Sequence, residues 1–345
     1  MRSKLSKAMN NCKNFILISA ILALSLPGLG CNKSGELAQR STFRPPSGPV
    51  ELKLKWPTGE RILQEMDTKQ TMELSIPGRA VPLKQEMTME QEYGLTVLKA
   101  TPDGEREVEM EFLNARVGMT FGSKAFPNYD SEKKSPADKA NPLAKLFEKI
   151  IGSKIQFFLN ASNEVERMEG VDALTERLAS DGQADELDGL RNQFSEGNLK
   201  QMMSANLFMP PTAVQPGDTW PVHIEFPMGT MGTMVVDDEF TFQNWEMHGE
   251  RNCARLEFQG TVTNKPDTAA DPNKMSVAIT SGDASGASWF DPELGITIDS
   301  LINLNMSMII AIPIHRRENP NATVRTQHIT GKMNQIITMR LISVK

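Results

Sequence analysis

Cysteine and aromatic residues are scarce in this sequence of 345 residues. It has three cysteines, and Phe, Trp and Tyr together make up 6% of the chain. Cys12 and Cys31 lie in the N-terminal segment, which leaves Cys253 alone in the body, so we expect no internal disulfide. The neighbours of Cys253 alternate between apolar and polar as in a strand. We therefore predict that Cys253 is a small buried residue rather than a nucleophile.

A long basic stripe is also missing. Lys and Arg number 37 against 43 Asp and Glu, which gives a formal net charge of −6. Four of the cations (Arg2, Lys4, Lys7 and Lys13) lie near the N-terminus, so the rest of the chain is more acidic than the total indicates. Because an acidic surface repels phosphate groups, we expect no nucleic-acid partner.

The N-terminal segment has the pattern of an export signal. Its cations are followed by an apolar run over residues 15–26, which is too short to span a bilayer as a helix but suits a signal-peptide core. Gly28 and Gly30 then precede Cys31, as small residues precede the acylated cysteine of bacterial lipoproteins. We predict a signal peptide over residues 1–31 with lipidation at Cys31. Ordinary secretory cleavage after Gly30 is the alternative.

The segment that follows the signal favours a membrane tether. Residues 32–49 are polar and rich in Pro, Ser and Gly, which predicts a flexible spacer. Asn32, in place of Asp after the cysteine, favours sorting to the outer membrane. We expect an exported protein of the cell envelope, attached to the membrane through an N-terminal lipid anchor and facing the periplasm.

Alternation of apolar and polar residues begins at residue 50 and dominates the chain. Val108, Met110 and Phe112, for example, alternate with glutamates, as in a strand with one dry and one wet face. We predict a first β half over 50–141 and a second over 212–345. Residues 142–211 have helical spacing of leucines around a short hairpin and predict a helical insertion.

The two β halves have similar sequences around one hairpin. Residues 92–112 contain Gly-Glu-Arg at 104–106, and residues 239–258 contain Gly-Glu-Arg at 249–251, between strands of the same pattern. We interpret this as a duplication, although any two hairpins can share such a turn. The predicted fold is mainly β (α+β), with antiparallel sheets arranged as a sandwich or a curved half-barrel from two related halves.

Several segments resemble those of a known family. They are residues 52–59, 214–220, 249–254 and 289–295. The chain is similar, over roughly residues 50–345, to uncharacterised exported bacterial proteins, often lipoproteins, that are grouped as a domain of unknown function. The resemblance implies a location and a β-rich build, and it implies no activity.

The residues that carry the resemblance form turn motifs. A tight turn is predicted at Pro216, Gly217 and Asp218, and we expect Trp220 to pack on the sheet and hold this turn in place. In the motif at 290–295, Asp291 can accept hydrogen bonds from its own turn, and Gly295 can take a positive φ.

Motifs that carry catalysis are absent. The sequence has no Gly-x-Ser-x-Gly elbow, Walker loop or dinucleotide-binding glycine pattern. His223 and Glu225 share a strand face and could hold a metal, but no third ligand is visible. An unidentified hydrolase would have to use His223 with Asp237 and Glu239, and this requires the three to converge in a cleft. We expect neither an enzyme nor a cofactor.

Methionine is unusually frequent, with 21 residues. Met228, Met231 and Met234 recur at every third position and could hold a soft metal such as Cu(I). Alternatively, methionine fills irregular core space, and a methionine-rich concave sheet accepts varied lipids or peptides.

The sequence favours a non-enzymatic, lipid-anchored envelope protein that acts as a scaffold or binds an apolar ligand, with copper binding or hydrolysis as alternatives. Its partners would be the membrane and an apolar ligand or another envelope protein. A binder predicts an apolar cavity of about several hundred Å3. A scaffold predicts a filled core and an exposed apolar patch.

Overall fold

The computed structural model describes most of the chain after its N-terminal segment. The described residues are 46–179, 194–203, 208–227, 232–265, 275–314 and 325–345. Their strands are β1 (Arg61–Ser75), β2 (Leu83–Ala100), β3 (Arg106–Phe121), β4 (Lys124–Ala125), β5 (Tyr129–Asp130), β6 (Lys154–Leu159), β7 (Val165–Glu169), β8 (Thr219–Pro227), β9 (Thr233–His248), β10 (Arg251–Lys265), β11 (Ser276–Asp291), β12 (Ile296–Ile314) and β13 (Arg325–Val344).

All these strands belong to one antiparallel sheet. Their order is β7-β6-β3-β2-β1-β13-β12-β11-β10-β9-β8, and the short strands β4 and β5 pair with β3. The edge strands β7 and β8 do not pair with each other, so the sheet is open. The prediction of a mainly β, antiparallel fold is confirmed. The described strands form a single sheet and not the two sheets that a sandwich requires.

The sheet consists of two meanders with one strand between them. The strands β1-β2-β3-β6-β7 form one five-strand meander, and β8-β9-β10-β11-β12 form another that runs across the sheet in the same sense. Strand β13 lies between them and pairs with both β1 and β12. The hairpins β2–β3 and β9–β10 take equivalent places, and Gly104 and Gly249 in their turns have φ of 92° and 59°. A duplicated five-strand unit would have this arrangement.

The sheet has one buried and one solvated face. Along β1, β2 and β3 every second side chain is buried, as the alternation in the sequence predicts. We call the buried side the inner face and the other the outer face. The outer face carries ion pairs such as Arg61 with Glu111 and Lys154 with Glu109, each at 2.7 Å. These partly exposed pairs add little stability, so the inner face supplies the core.

The helices lie between β5 and β8. They are a 3-10 turn (Pro136–Ala140), α1 (Pro142–Ile150), α2 (Val171–Ala179) and α3 (Glu196–Met202). At the start of α1, the side chain of Asn141 accepts a hydrogen bond from the Leu143 backbone, and Pro142 suits the first turn. None of the described helices is long and apolar enough to cross a membrane.

Helix α1 is packed by aromatic residues. Phe147 of α1 stacks on Tyr129 of β5, with ring centroids 6.1 Å apart. It also meets the ring of Phe194 edge-on, and Phe194 in turn contacts Phe112 of β3. This aromatic chain fixes α1 and the start of the α3 segment over the inner face near β3.

Candidate functional site on the inner face

Methionine is frequent on the inner face of five adjacent strands, β12, β13, β1, β2 and β3, which we call the central strands. In one row across the sheet, Met306 of β12 pairs with Met333 of β13, which pairs with Met72 of β1. The adjacent row on this face includes Met87 of β2 and Met119 of β3, which pair with each other. The buried methionines on the described strands are Met66, Met72, Met87, Met89, Met110, Met119, Met234, Met306, Met308, Met333 and Met339.

Glutamines interrupt these methionine rows. Gln85 of β2 pairs with Met72, while Gln70 of β1 pairs with Gln335 of β13. All three side chains are at most 3% exposed. The amide nitrogen and oxygen of both Gln85 and Gln335 have no hydrogen-bond partner. A buried polar group without a partner costs about 1–3 kcal/mol, so these amides are unusual in a core.

The inner face of the five central strands carries no charged side chain within the described residues. An acid occurs farther along the sheet, where Asp238 of β9 is 4% exposed and neither of its carboxyl oxygens has a hydrogen-bond partner. Burial, with a smaller contribution from the charge of Asp237, raises the pKa of Asp238 to about 7. Gly260 of the neighbouring strand leaves the space for this carboxyl, because a Cβ there would lie 2.2 Å from Oδ1.

A small cavity of about 50 Å³ lies at the opposite end of the central strands from the unpaired glutamines. It is lined by Leu54, Trp56, Ile62, Gln64, Tyr93, Leu95, Met110, Met202, Met203, Ile296, Thr297 and Met339. It is much smaller than the cavity we expect of an open binder, so a ligand must displace part of this packing. Met202 ends α3 and Met203 follows it, which identifies α3 as a segment that covers the inner face here.

A larger cavity lies on the outer face. Its volume is about 320 Å³, and its lining includes Asp67, Lys69, Glu90, Arg116 and Asp130. These charges make it unsuited to an apolar ligand. The exposed large apolar residues lie on separate turns and strands, so the described surface lacks the patch we expect of a scaffold. They are Val81, Leu98, Met247, Ile309 and Ile342.

The residues of the hydrolase hypothesis lie on the outer face near the edge strand β8. His223 Nδ1 is 2.6 Å from Asp237 Oδ1, and its Nε2 is 3.2 Å from Glu225 Oε1. The hydrogen bond to Asp237 is the main cause that raises the pKa of His223. His223, Asp237, Glu239 and Glu225 are all exposed. Within the described residues, no group of three His, Cys, Asp or Glu side chains could hold a metal.

The turn at 215–218 joins the helical region to β8. Gly217 has φ of 96° and donates its N–H to the Phe242 carbonyl at 2.7 Å. Asp218 accepts a hydrogen bond from the Gln215 backbone. Trp220 is buried, donates from Nε1 to the Phe208 carbonyl at 3.1 Å, and stacks on Phe240. The turn of Pro216, Gly217 and Asp218 thus positions an aromatic stack on the inner face.

The turn at 291–295 joins β11 to β12. Asp291 Oδ1 accepts hydrogen bonds from the backbones of Glu293 and Leu294. Gly295 has φ of 65°, and its carbonyl accepts from the Lys55 backbone at 2.8 Å. The turn therefore fixes the entering chain segment as well as the two strands.

Two further predictions from the sequence have different outcomes. Cys253 is fully buried, as predicted, and burial raises the pKa of its thiol to about 12. Met234 is buried on the inner face of β9, whereas Met228 and Met231 lie outside the described residues. Cys31, the predicted lipidation site, also lies outside them. Copper binding and lipidation therefore stay predictions.

A family model described as a family of unknown function, DUF6263, matches residues 103–297. This is more than half of the chain. The chain belongs to the DUF6263 family. The expectation of membership in a family of unknown function is thereby confirmed. Among curated protein sequences, none matches the chain significantly.

Solved structures give distant likenesses to this DUF6263 protein. A structure of lipid–protein interactions in lipovitellin is 9% identical with a TM-score of 0.39, and it covers 84% of this chain and 26% of its own. The chain thus spans about a quarter of lipovitellin. A Bacteroides fragilis protein with a YmcC-like fold is 10% identical with a TM-score of 0.23, and it covers 86% of this chain and 100% of its own. The scores are low, so we draw no argument from either likeness.

Proposed function

We propose that this DUF6263 protein is a non-enzymatic, lipid-anchored protein of the cell envelope that binds an apolar ligand on its inner face. The observation that carries the proposal is the uncharged, methionine-lined face of the five central strands. Methionine is unbranched and flexible, so neighbouring methionines such as Met72, Met306 and Met333 can repack around ligands of different shape. The envelope location and the anchor rest on the signal-like residues 1–31.

Binding on this face requires opening of the protein. The cavity of about 50 Å³ is too small for an acyl chain, and Met202 and Met203 form part of its wall. Movement of α3 away from the sheet would enlarge this cavity and expose Met110 and Met339 of the inner face. Hydrogen exchange in α3 should therefore change when a ligand binds, because α3 then leaves its place or is fixed in a new one.

Native mass spectrometry on the full chain, purified from an envelope fraction, tests the proposal. We expect a mass excess that disappears on denaturation and that solvent extraction identifies as a lipid. A copper ion in its place would support the alternative based on Met228, Met231 and Met234. A bare protein mass, with no later uptake of added lipid, would contradict the proposal.

A pair of variants on one strand tests whether the inner face is the site. Met87→Gln places a polar group on the inner face, whereas Thr88→Gln places the same group on the outer face. We expect Met87→Gln to weaken binding of the fluorescent probe N-phenyl-1-naphthylamine about tenfold, since one desolvated amide costs about 1–3 kcal/mol. Thr88→Gln should leave the affinity unchanged. Equal effects of both variants would place the ligand elsewhere.

A further inference from the structure

Two glutamines in the apolar centre of the sheet contribute no side-chain hydrogen bond to the fold. Gln85 is 1% exposed and Gln335 is fully buried, yet neither amide makes a hydrogen bond. Methionine has nearly the same length and shape as glutamine and occupies equivalent inner-face positions on the same strands, at Met87 and Met333. Packing alone would therefore favour methionine at residues 85 and 335 and avoid the cost of unpaired amides.

The two amides are placed to act together. Gln85 lies on β2 and Gln335 on β13, with β1 between them and an offset of one inner-face row. Standard strand spacings put their Cα atoms about 12 Å apart. The side chains of Gln70 and Met72 lie between them on β1, so a polar group bound by both amides would have to displace the flexible Met72 side chain. Gln70 lies directly opposite Gln335 and adds a third amide beside the two.

The chemistry of the surroundings selects an uncharged group. A primary amide both donates and accepts, so it pairs with carbonyl oxygens and hydroxyl groups. A phosphate or ammonium group would need a counter-charge in this apolar environment. The described inner face of β12, β13, β1, β2 and β3 offers none. Methionines lie on both sides of the amides, where an acyl chain could extend.

We propose that Gln85 and Gln335 bind the uncharged polar group of an amphiphilic ligand, such as the ester and hydroxyls of an acylglycerol, whose chain lies on the methionine rows. This inference rests on the proposed function and adds the class of ligand. It also explains why the two amides have no hydrogen-bond partner within the protein.

Two probes with similar chains distinguish the contribution of the polar group to the binding affinity from that of the apolar chain. Monoolein carries an ester and two hydroxyls, whereas 1-octadecene has a chain of the same length and no polar group. Each is used to displace N-phenyl-1-naphthylamine from the full chain. We expect monoolein to bind about tenfold more tightly than 1-octadecene, as one or two neutral hydrogen bonds provide.

Substitution of the glutamines then tests the residues. In the double variant Gln85→Met/Gln335→Met, we expect the preference for monoolein to disappear while 1-octadecene binds as before. Gln91→Met, on the same strand and face as Gln85, serves as the matched control and should keep the preference. A double variant with the full preference would overturn the inference and leave the proposed function intact. Failure of both probes to bind the unmodified chain would instead contradict the proposed function.

Thermal unfolding gives a second readout that does not depend on the ligand. Because the unpaired amides cost free energy, the double variant should have a higher Tm than the unmodified chain. A lower Tm would show that the amides stabilise the fold through partners within the protein, and it would also overturn the inference.

Discussion

Arg251 donates a hydrogen bond to Asp291 over 2.7 Å, and this contact joins the start of β10 to the end of β11. Asp291 is only 2% exposed, and its other oxygen holds the turn backbone of Glu293 and Leu294. One buried carboxylate thus connects two strands and a turn. Hydrogen bonds to a charged group of this kind are worth more than neutral ones.

Replacement of this carboxylate should destabilise the protein strongly. We expect Asp291→Ala to lower the free energy of unfolding by about 3 kcal/mol, because three hydrogen bonds are lost and buried partners stay unsatisfied. Asp283→Ala removes an exposed carboxylate of the same strand and should cost less than about 1 kcal/mol. Urea denaturation of both variants measures the difference. Equal losses of unfolding free energy in the two variants would show that the buried contacts of Asp291 do not stabilise the fold more than an exposed carboxylate does.

Substitution of Gly295 and Gly249 distinguishes the cost of a left-handed backbone from the cost of a steric clash. Their φ angles are 65° and 59°, but a Cβ at Gly295 would lie 2.4 Å from Lys55, whereas one at Gly249 would meet nothing within 4 Å. Gly249→Ala should therefore cost about 1–2 kcal/mol, the penalty of the left-handed conformation. Gly295→Ala should cost clearly more, because the segment around Lys55 must also move. Urea denaturation measures both losses. A larger loss for Gly249→Ala than for Gly295→Ala would contradict the close contact between Gly295 and Lys55.

Asp238 should make stability depend on pH. Its pKa is about 7 in the folded protein and about 3.8 in the unfolded chain, so the folded state holds the proton more tightly. The free energy of unfolding should therefore fall as the pH rises from about 4 to about 7. Asp238→Asn should remove most of this fall and stabilise the protein at pH 8 by about 4 kcal/mol, since each pKa unit corresponds to about 1.4 kcal/mol. Little change is expected at pH 4.

Asp237→Asn is the matched control for this titration. Asp237 is the neighbouring residue but points outward, and its side chain is 58% exposed. Thermal unfolding of both variants at several pH values distinguishes them. If Asp237→Asn flattened the profile as much as Asp238→Asn, the buried carboxyl would not be its source.

Replacement of one row of methionines by leucines should preserve the stability of the protein but reduce the range of ligands that it binds. In the variant Met72→Leu/Met306→Leu/Met333→Leu, volume is nearly conserved, so each change should cost less than about 1.5 kcal/mol. Leucine is stiffer, so binding of chains of different length should become more selective. Displacement of N-phenyl-1-naphthylamine by fatty alcohols of several lengths measures this. Met247→Leu, at an exposed position, should leave the range unchanged.

The local features of the sheet could be predicted from the sequence. Alternation in Val108, Met110 and Phe112 marked both the strand and its buried face, and the motif at Asp291 and Gly295 has the turn geometry that these residue types favour. Such features depend on neighbouring residues alone. The single sheet could not be predicted in the same way, because the pairing of β1 with β13 joins residues far apart in the sequence.

The candidate site was visible only in part. The excess of methionine indicated an adaptable apolar face, and Met87, Met89 and Gln91 follow its period. The glutamines were missed because Gln85 next to Glu86 suggests a polar strand end. Only the register that places Gln85 near Gln70 and Gln335 shows that their amides share one apolar surface. Asp237, Asp238 and Glu239 are three consecutive acids, yet the pleat of β9 turns Asp238 inward and its two neighbours outward.

The pairing of β1 with β13 has a consequence for how the protein is made. A chain that emerges from its N-terminus would form β1 long before its partner β13 exists. Until then β1 and β12 would both present open edges with unsatisfied N–H and C=O groups. The sheet becomes continuous only when its last strand inserts between the two meanders, which predicts slow, late folding and a need for protection against aggregation until then.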